Sequence, residues 1–162
     1  MKVIEYFSAP DRAHWLSEIG RADWSAASFL ASLLQEDRLM DTLGETAMVL
    51  MLTEGDRLVS FCTLAPLDEV QPTVLGPWIG FVYTFPEFRG RHCAGLLLDH
   101  AEGLAAAAGH EAVYISTDHN GLYERYGYIF FDTARTVYGE NSRVYRKLLR
   151  TNGAEKEQQS TL

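Results

Sequence analysis

The most constraining stretch is residues 81–95, FVYTFPEFRGRHCAG. An apolar strand runs into a turn rich in arginine and glycine, and the turn opens a helix. The first N–H groups of a helix have no internal partner, and the macrodipole adds partial positive charge there. Arg89 and Arg91 contribute full charges, and His92 can contribute a partial one. Strand, small-residue turn and helix start together make an anion site suited to a pyrophosphate. The same residues also read as a plain helix cap with two solvated arginines. The full GxxxxGK[ST] phosphate loop is missing, and so is the GxGxxG dinucleotide fingerprint, for which Gly90 and Gly95 are spaced wrongly.

The rest of the pattern surrounds this unit with a sheet. Residues 2–7 read as a short strand. A helical stretch opens at Pro10-Asp11 with Trp15, Leu16 and Ile19 on one face. A second helix starts near Ser25, with Phe29, Leu30, Leu33 and Leu34 at helical spacing. Residues 47–53 and 58–64 form a hairpin about the turn Glu54-Gly55-Asp56-Arg57. A loop over 68–77 leads to the strand 78–84. The helix 92–108 places Leu96, Leu97, Ala101, Leu104 and Ala105 inward and ends at Gly109. Strands follow at 112–116, 128–132 and 142–148, with a short helical turn at 122–126. The order β-α-α-β-β-β-α-β-α-β-β predicts an α/β (α+β) mixed, mostly antiparallel sheet with helices on both faces. Residues 1–150 make one expected domain, and the polar segment 151–162 an expected flexible tail.

Composition removes several function classes. The balance of 14 basic against 22 acidic residues gives a net charge of −8. Nucleic-acid binders carry a basic excess, so none is expected as a partner, and a negative surface favours cationic small molecules. No apolar run reaches the ~18–20 residues of a membrane span, and the N-terminus lacks a signal-peptide pattern, so a cytoplasmic protein without membrane contact is expected. Cys62 and Cys93 are the only cysteines, too few for a disulfide framework or a four-thiolate metal site. His92, His100, His110 and His119 match no zinc spacing, and no metal is expected.

Arg89-Gly90-Arg91-His92-Cys93-Ala94, preceded by Pro86-Glu87-Phe88, resembles the acetyl-CoA pyrophosphate motif of the GNAT-type N-acetyltransferases. Arg89 and Ala94 match that motif, and His92 stands where the family has its middle glycine. Downstream, Leu122-Tyr123-Glu124-Arg125-Tyr126-Gly127-Tyr128 resembles the family's Leu-Tyr-x-x-x-Gly-Phe segment. The resemblance implies acetyl-CoA as co-substrate, held by Arg89, Gly90, Arg91, His92, Cys93, Ala94 and Gly95. It implies that the main chain of Val82, Tyr83 and Thr84 pairs with pantetheine amides as an added strand would. It implies Tyr123 as the general acid that protonates the departing thiolate.

The resemblance leaves the base unassigned, since WIGFVYT carries no carboxylate. Asp68, Glu69, Asp118 and His119 are candidates, with Glu69 and Asp118 ranked first on the expectation that both face one cleft. A water chain could also do this work. Trp24, Trp78 and the loop 71–77 are expected around the acceptor. The function implied is acetyl transfer to a primary amine of a small, cationic molecule. Alternatives are a protein amine as acceptor, a non-catalytic acyl-CoA-binding module, and a cysteine nucleophile at Cys93 with His92 or His119. Relatives in the family often pair, which leaves a homodimer open.

Overall fold

The structure, a computed structural model, describes residues 1–150. The expected tail at 151–162 lies outside them. Seven strands form one sheet: β1 (Lys2–Glu5), β2 (Met48–Glu54), β3 (Arg57–Ala65), β4 (Trp78–Thr84), β5 (Ala112–Thr117), β6 (Ile129–Arg135) and β7 (Asn141–Leu148). Their order is β1-β2-β3-β4-β5-β7-β6, and every neighbouring pair is antiparallel except β4 with β5. The helices are α1 (Arg12–Gly20), α2 (Ser25–Gln35), α3 (Leu39–Leu43) and α4 (Cys93–Ala107).

Sequence and structure agree on the order of the strands and main helices and differ locally: the expected strand 2–7 ends at Glu5, and 3-10 turns lie at Tyr6–Ser8 and Pro86–Phe88. Helix α3 is five residues long, too short to show a helical period. The helical turn expected near Tyr123 is a 3-10 segment, Tyr123–Tyr126, closed by Gly127 at φ 89°.

Helix α4 is the crossover that makes β4 and β5 parallel. It buries Leu97, Leu98, Ala101 and Ala105 and leaves Leu96 exposed, which corrects the expected inward position of Leu96. The other sheet face takes α1 against β3 and α2 against β4. Alternation along β3 serves the two faces: Leu64 lies toward α4, while Thr63 lies beside Gly80 on the α2 side. Burying both faces favours apolar strands: Val49–Leu52 is apolar throughout, and Leu58–Leu64 is buried throughout with Ser60 and Thr63 as its two polar residues.

Two features of β4 position the site. Its pairing with β3 slips between Phe61 and Thr63, so Phe81 and Val82 together oppose Cys62. This is a bulge, and Phe81 sits in it at φ 52°. On the other side, β4 pairs with β5 only at Trp78↔Tyr114. Beyond that point the two strands part, and β5 continues along β7 alone.

Candidate active site

The parting of β4 and β5 opens a cleft of about 500 Å³. Val82, Tyr83 and Thr84 line one wall, and Ile115 to Thr117 face them. Because β5 has left, the β4 main chain here is a strand edge within reach of an extended ligand. At its far end Arg89 folds back: Nε donates to the Thr84 carbonyl at 3.0 Å, and the guanidinium lies 5.6 Å from the Tyr83 ring centre. Ala94, in the first turn of α4, also lines the cleft. The exposed Arg91 packs its guanidinium 5.7 Å from the Phe88 ring centre.

Gly90 and His92 take left-handed conformations, at φ 81° and 62°, and His92 is the N-cap of α4. A residue with a side chain is strained there, and glycine is not. The His92 ring leans over the first turn of the helix. It fills the space that a side chain at Gly95 would need, with Cδ2 2.8 Å from that Cβ position, and lies 5.5 Å from the Tyr126 ring.

Cys93 is buried, and its thiol donates to the Phe88 carbonyl at 3.6 Å. Burial raises its pKa, an effect that the Arg91 charge opposes and does not cancel. Cys62, fully buried, is pushed up to about 12 by burial. A thiolate nucleophile needs the opposite environment.

Tyr123 is buried at the wall of the cleft. Burial first, then the negative charge of neighbours including Asp68, raises its pKa, so the phenol keeps its proton at neutral pH. His119 also lines the cleft, although it is exposed.

A second cavity of about 400 Å³ adjoins the first. The two share Trp24, Gly80, Phe81 and Ser116, so they meet at the β4 bulge. Asp68 and Glu69 both line the second cavity, in different environments. Glu69 Oε1 accepts a hydrogen bond from the Ser116 hydroxyl at 2.7 Å, and Ser116 in turn lies 2.7 Å from the Ser142 hydroxyl. The Glu69 carbonyl accepts from the Val137 N–H at 2.8 Å, tying the β3–β4 loop to the β6–β7 turn.

The Asp68 carboxylate instead reaches over Gly80. Its Oδ1 occupies the space that a side chain on residue 80 would take, with the Thr63 hydroxyl 3.2 Å from the same point. Thr63 Oγ1 is buried without a hydrogen-bond partner. Burial pushes the Asp68 carboxyl up to about 7, with a smaller upward push from Glu69 and a downward pull from the Glu69 amide. An acid poised near 7 suits proton transfer at physiological pH.

These positions separate the sequence candidates. Glu69 lines the second cavity, whereas Asp118 is exposed on the turn after β5 and lines neither cavity, so the two do not share a cleft. Asp68, ranked lower from sequence, stands at the junction. Trp24 and Gln71 line the second cavity, as expected. Trp78 does not: it is fully buried, donates Nε1–H to the Leu75 carbonyl at 2.9 Å, and packs on Tyr114 in a small separate core. Residues 73–77 face a groove on the α4 side. Phe29, Val137 and Tyr138 line the second cavity and were not singled out from sequence. Phe29 shares the helical spacing of Leu30, Leu33 and Leu34, yet it is 40% exposed.

Residues 9–128 match the family model described as Acetyltransferase (GNAT) family. The chain belongs to the GNAT acetyltransferase family. Its class of chemistry is therefore acyl transfer. The fold is shared with an aminoglycoside 6'-N-acetyltransferase complexed with coenzyme A, at a TM-score of 0.68 and 16% identity over 94% of this chain and 99% of the other. An aminoglycoside 6'-N-acetyltransferase from Enterococcus faecium gives 0.66 and 17% over 94% and 99%. A GNAT family N-acetyltransferase from Escherichia coli in complex with CoA gives 0.65 and 20% over 92% and 81%. No curated protein matches the chain. Among the described residues no helix is long and apolar enough to cross a membrane.

Proposed function

We propose that this GNAT protein transfers the acetyl group of acetyl-CoA to a primary amine of a small, cationic molecule. One observation carries the reading: the strand-edge cleft and the carboxylate-bearing cavity meet at Gly80 and Phe81, where a thioester from one side and an amine from the other can come together.

Each end has its own work. The Val82–Thr84 main chain pairs with the pantetheine arm. Arg89 and the turn through Gly90, Arg91, His92, Cys93, Ala94 and Gly95 hold the pyrophosphate at the start of α4. A β4 N–H polarises the thioester carbonyl. The amine arrives protonated, and Asp68, ionised above its raised pKa, takes that proton. The neutral nitrogen attacks the carbonyl carbon: a C–N bond forms, the C–S bond breaks, and the sulfur leaves with the electron pair. Tyr123, which keeps its proton at working pH, protonates the sulfur, and the second proton, shed by the nitrogen as it becomes an amide, restores the phenol. Asp68 replaces Glu69 and Asp118 as the base. Glu69, held by Ser116 and by the Val137 amide through its carbonyl, positions the loop that carries Asp68.

Calorimetric titration with acetyl-CoA tests the cofactor end. The Arg89→Ala, Arg91→Ala variant is expected to bind at least about tenfold more weakly, the scale of a lost charge-assisted hydrogen bond. Tyr123→Phe is expected to keep acetyl-CoA affinity while thiol release falls about 100-fold, the usual scale for a lost general acid. Absence of acetyl-CoA binding by the unaltered protein would overturn the function.

A further inference from the structure

The second cavity is polar on one side and apolar on the others. Its carboxylates, Asp68 and Glu69, sit with Gln71 and Ser116 on the β3–β4 loop and β5. No lysine or arginine is among the described residues that line it. Trp24 and Phe29 come from the start of α2, and Val137 and Tyr138 from the β6–β7 turn. These four large side chains are left 37%, 40%, 54% and 64% exposed, although they come from separate elements around one cavity. Exposed apolar groups converging on a cavity mark a binding surface better than single scattered ones do. Trp24 is held flat by stacking on Tyr83 at 5.8 Å and 12°, and Phe29 leans on Phe81 at 6.4 Å, so both rings are fixed in place.

We infer that the acceptor is a primary aralkylamine: one ammonium directed at Asp68, and an aromatic ring held between the Trp24–Phe29 wall and the Val137–Tyr138 wall. The inference rests on the acetyl-transfer reading above and narrows its acceptor.

Three considerations favour this class. A volume of about 400 Å³ is at the lower end for small-molecule sites and suits a compact ligand. Two adjacent carboxylates with no opposing cation attract one ammonium, and nearby aromatic faces add to that attraction. A polyhydroxylated body would press its hydroxyls against Trp24, Phe29, Val137 and Tyr138, where the indole N–H, the phenol and the Ser25 hydroxyl are the side-chain partners and the Thr42 hydroxyl is already donated to the Arg38 carbonyl. Each hydroxyl buried unpaired is penalised. The cavity thus differs in chemistry from what an aminoglycoside body needs, although the fold is shared with aminoglycoside acetyltransferases.

The test is thiol release from acetyl-CoA with four amines: 2-phenylethylamine, ethylamine, glucosamine and kanamycin. We expect kcat/KM for 2-phenylethylamine to exceed that for each of the others by roughly tenfold or more, the scale of one well-packed aromatic contact. Phe29→Ala and Tyr138→Ala should each lower kcat/KM for 2-phenylethylamine by more than they lower it for ethylamine, shrinking that preference. Equal or better turnover of glucosamine or kanamycin overturns the aralkylamine class and leaves acetyl transfer standing. No thiol release with any of the four by a protein that binds acetyl-CoA overturns the transfer reading, and this inference with it.

Discussion

The two cavities that meet at the β4 bulge are built from different materials. The cleft between β4 and β5 is made chiefly of backbone: a strand edge without its neighbour, a helix start, and left-handed residues that shape the turn. The second cavity, the proposed acceptor site, is made of side chains from α2, the β3–β4 loop, β5 and the β6–β7 turn. A backbone site tolerates many side chains but few conformations. A side-chain site has the reverse sensitivity. Substitutions should therefore do damage by chemistry at one end and by geometry at the other.

Asp68→Asn gives the largest expected effect. Removing the base should lower kcat about 100-fold or more, with the KM for acetyl-CoA unchanged. In the unaltered enzyme the rate should rise with pH through about 7 as Asp68 ionises, and the variant should lose that limb. Stability should move the other way. The Asp68 pKa is raised on folding from 3.8 to about 7. Between those values the folded protein binds the proton and the unfolded chain does not, so stability falls as pH rises through this window and stays lower above it. Asp68→Asn removes the penalty. Its Tm should exceed that of the unaltered protein at pH 8, and the gap should close near pH 4. A variant that is inactive and also less stable at pH 8 would break the contrast.

Gly80→Ala probes the same carboxylate from across the sheet, with a smaller effect. The added Cβ would overlap Asp68 Oδ1 and lie 3.1 Å from Asp68 Cγ and 3.2 Å from Thr63 Oγ1, so the carboxylate must shift. A displacement of this kind should cost roughly tenfold in kcat. Acetyl-CoA affinity should hold, because the added methyl reaches into the acceptor side. The two substitutions act through one group, so the double variant should be no slower than Asp68→Asn alone. Additive losses would show that Gly80 serves the cleft by another route.

The same division governs what could be read from the chain. Element order was legible because local spacing encodes it, and the elements of the candidate cofactor end are close in sequence: a strand, the 86–95 turn and helix α4 are contiguous, and Tyr123 follows after one more strand. The acceptor end was not. Glu69 ranks ahead of its neighbour Asp68 in sequence, and only the absent side chain of Gly80 gives Asp68 its place at the junction. Asp118 looked equivalent until the course of β5 carried it outside both cavities. Trp78 read equally as pocket or core, and its indole N–H is satisfied by Leu75 inside the protein. Phe29 fits the helical period of α2, yet it sits at the margin of the buried stripe and opens on a cavity. Val137 and Tyr138 lie in a turn whose approach to the β3–β4 loop depends on the Val137–Glu69 backbone bond. No periodicity encodes a meeting of residues so far apart.

His92 offers the smallest expected effect and the most direct test of the backbone end. Its φ of 62° is a conformation that glycine adopts freely, that histidine tolerates, and that a β-branched residue strongly resists. His92→Gly relieves strain but loses the ring contacts with Gly95 and Tyr126 and loosens the unfolded chain, so urea denaturation should show a change within about 1 kcal/mol. His92→Ile keeps a bulky side chain but forces the turn away from its left-handed geometry, and should destabilise by about 1–2 kcal/mol. If the turn holds pyrophosphate through its backbone, acetyl-CoA affinity should survive the glycine variant and weaken in the isoleucine one. Should glycine and isoleucine weaken binding equally, the imidazole itself is a ligand, and the cofactor end would depend on a side chain as the acceptor end does.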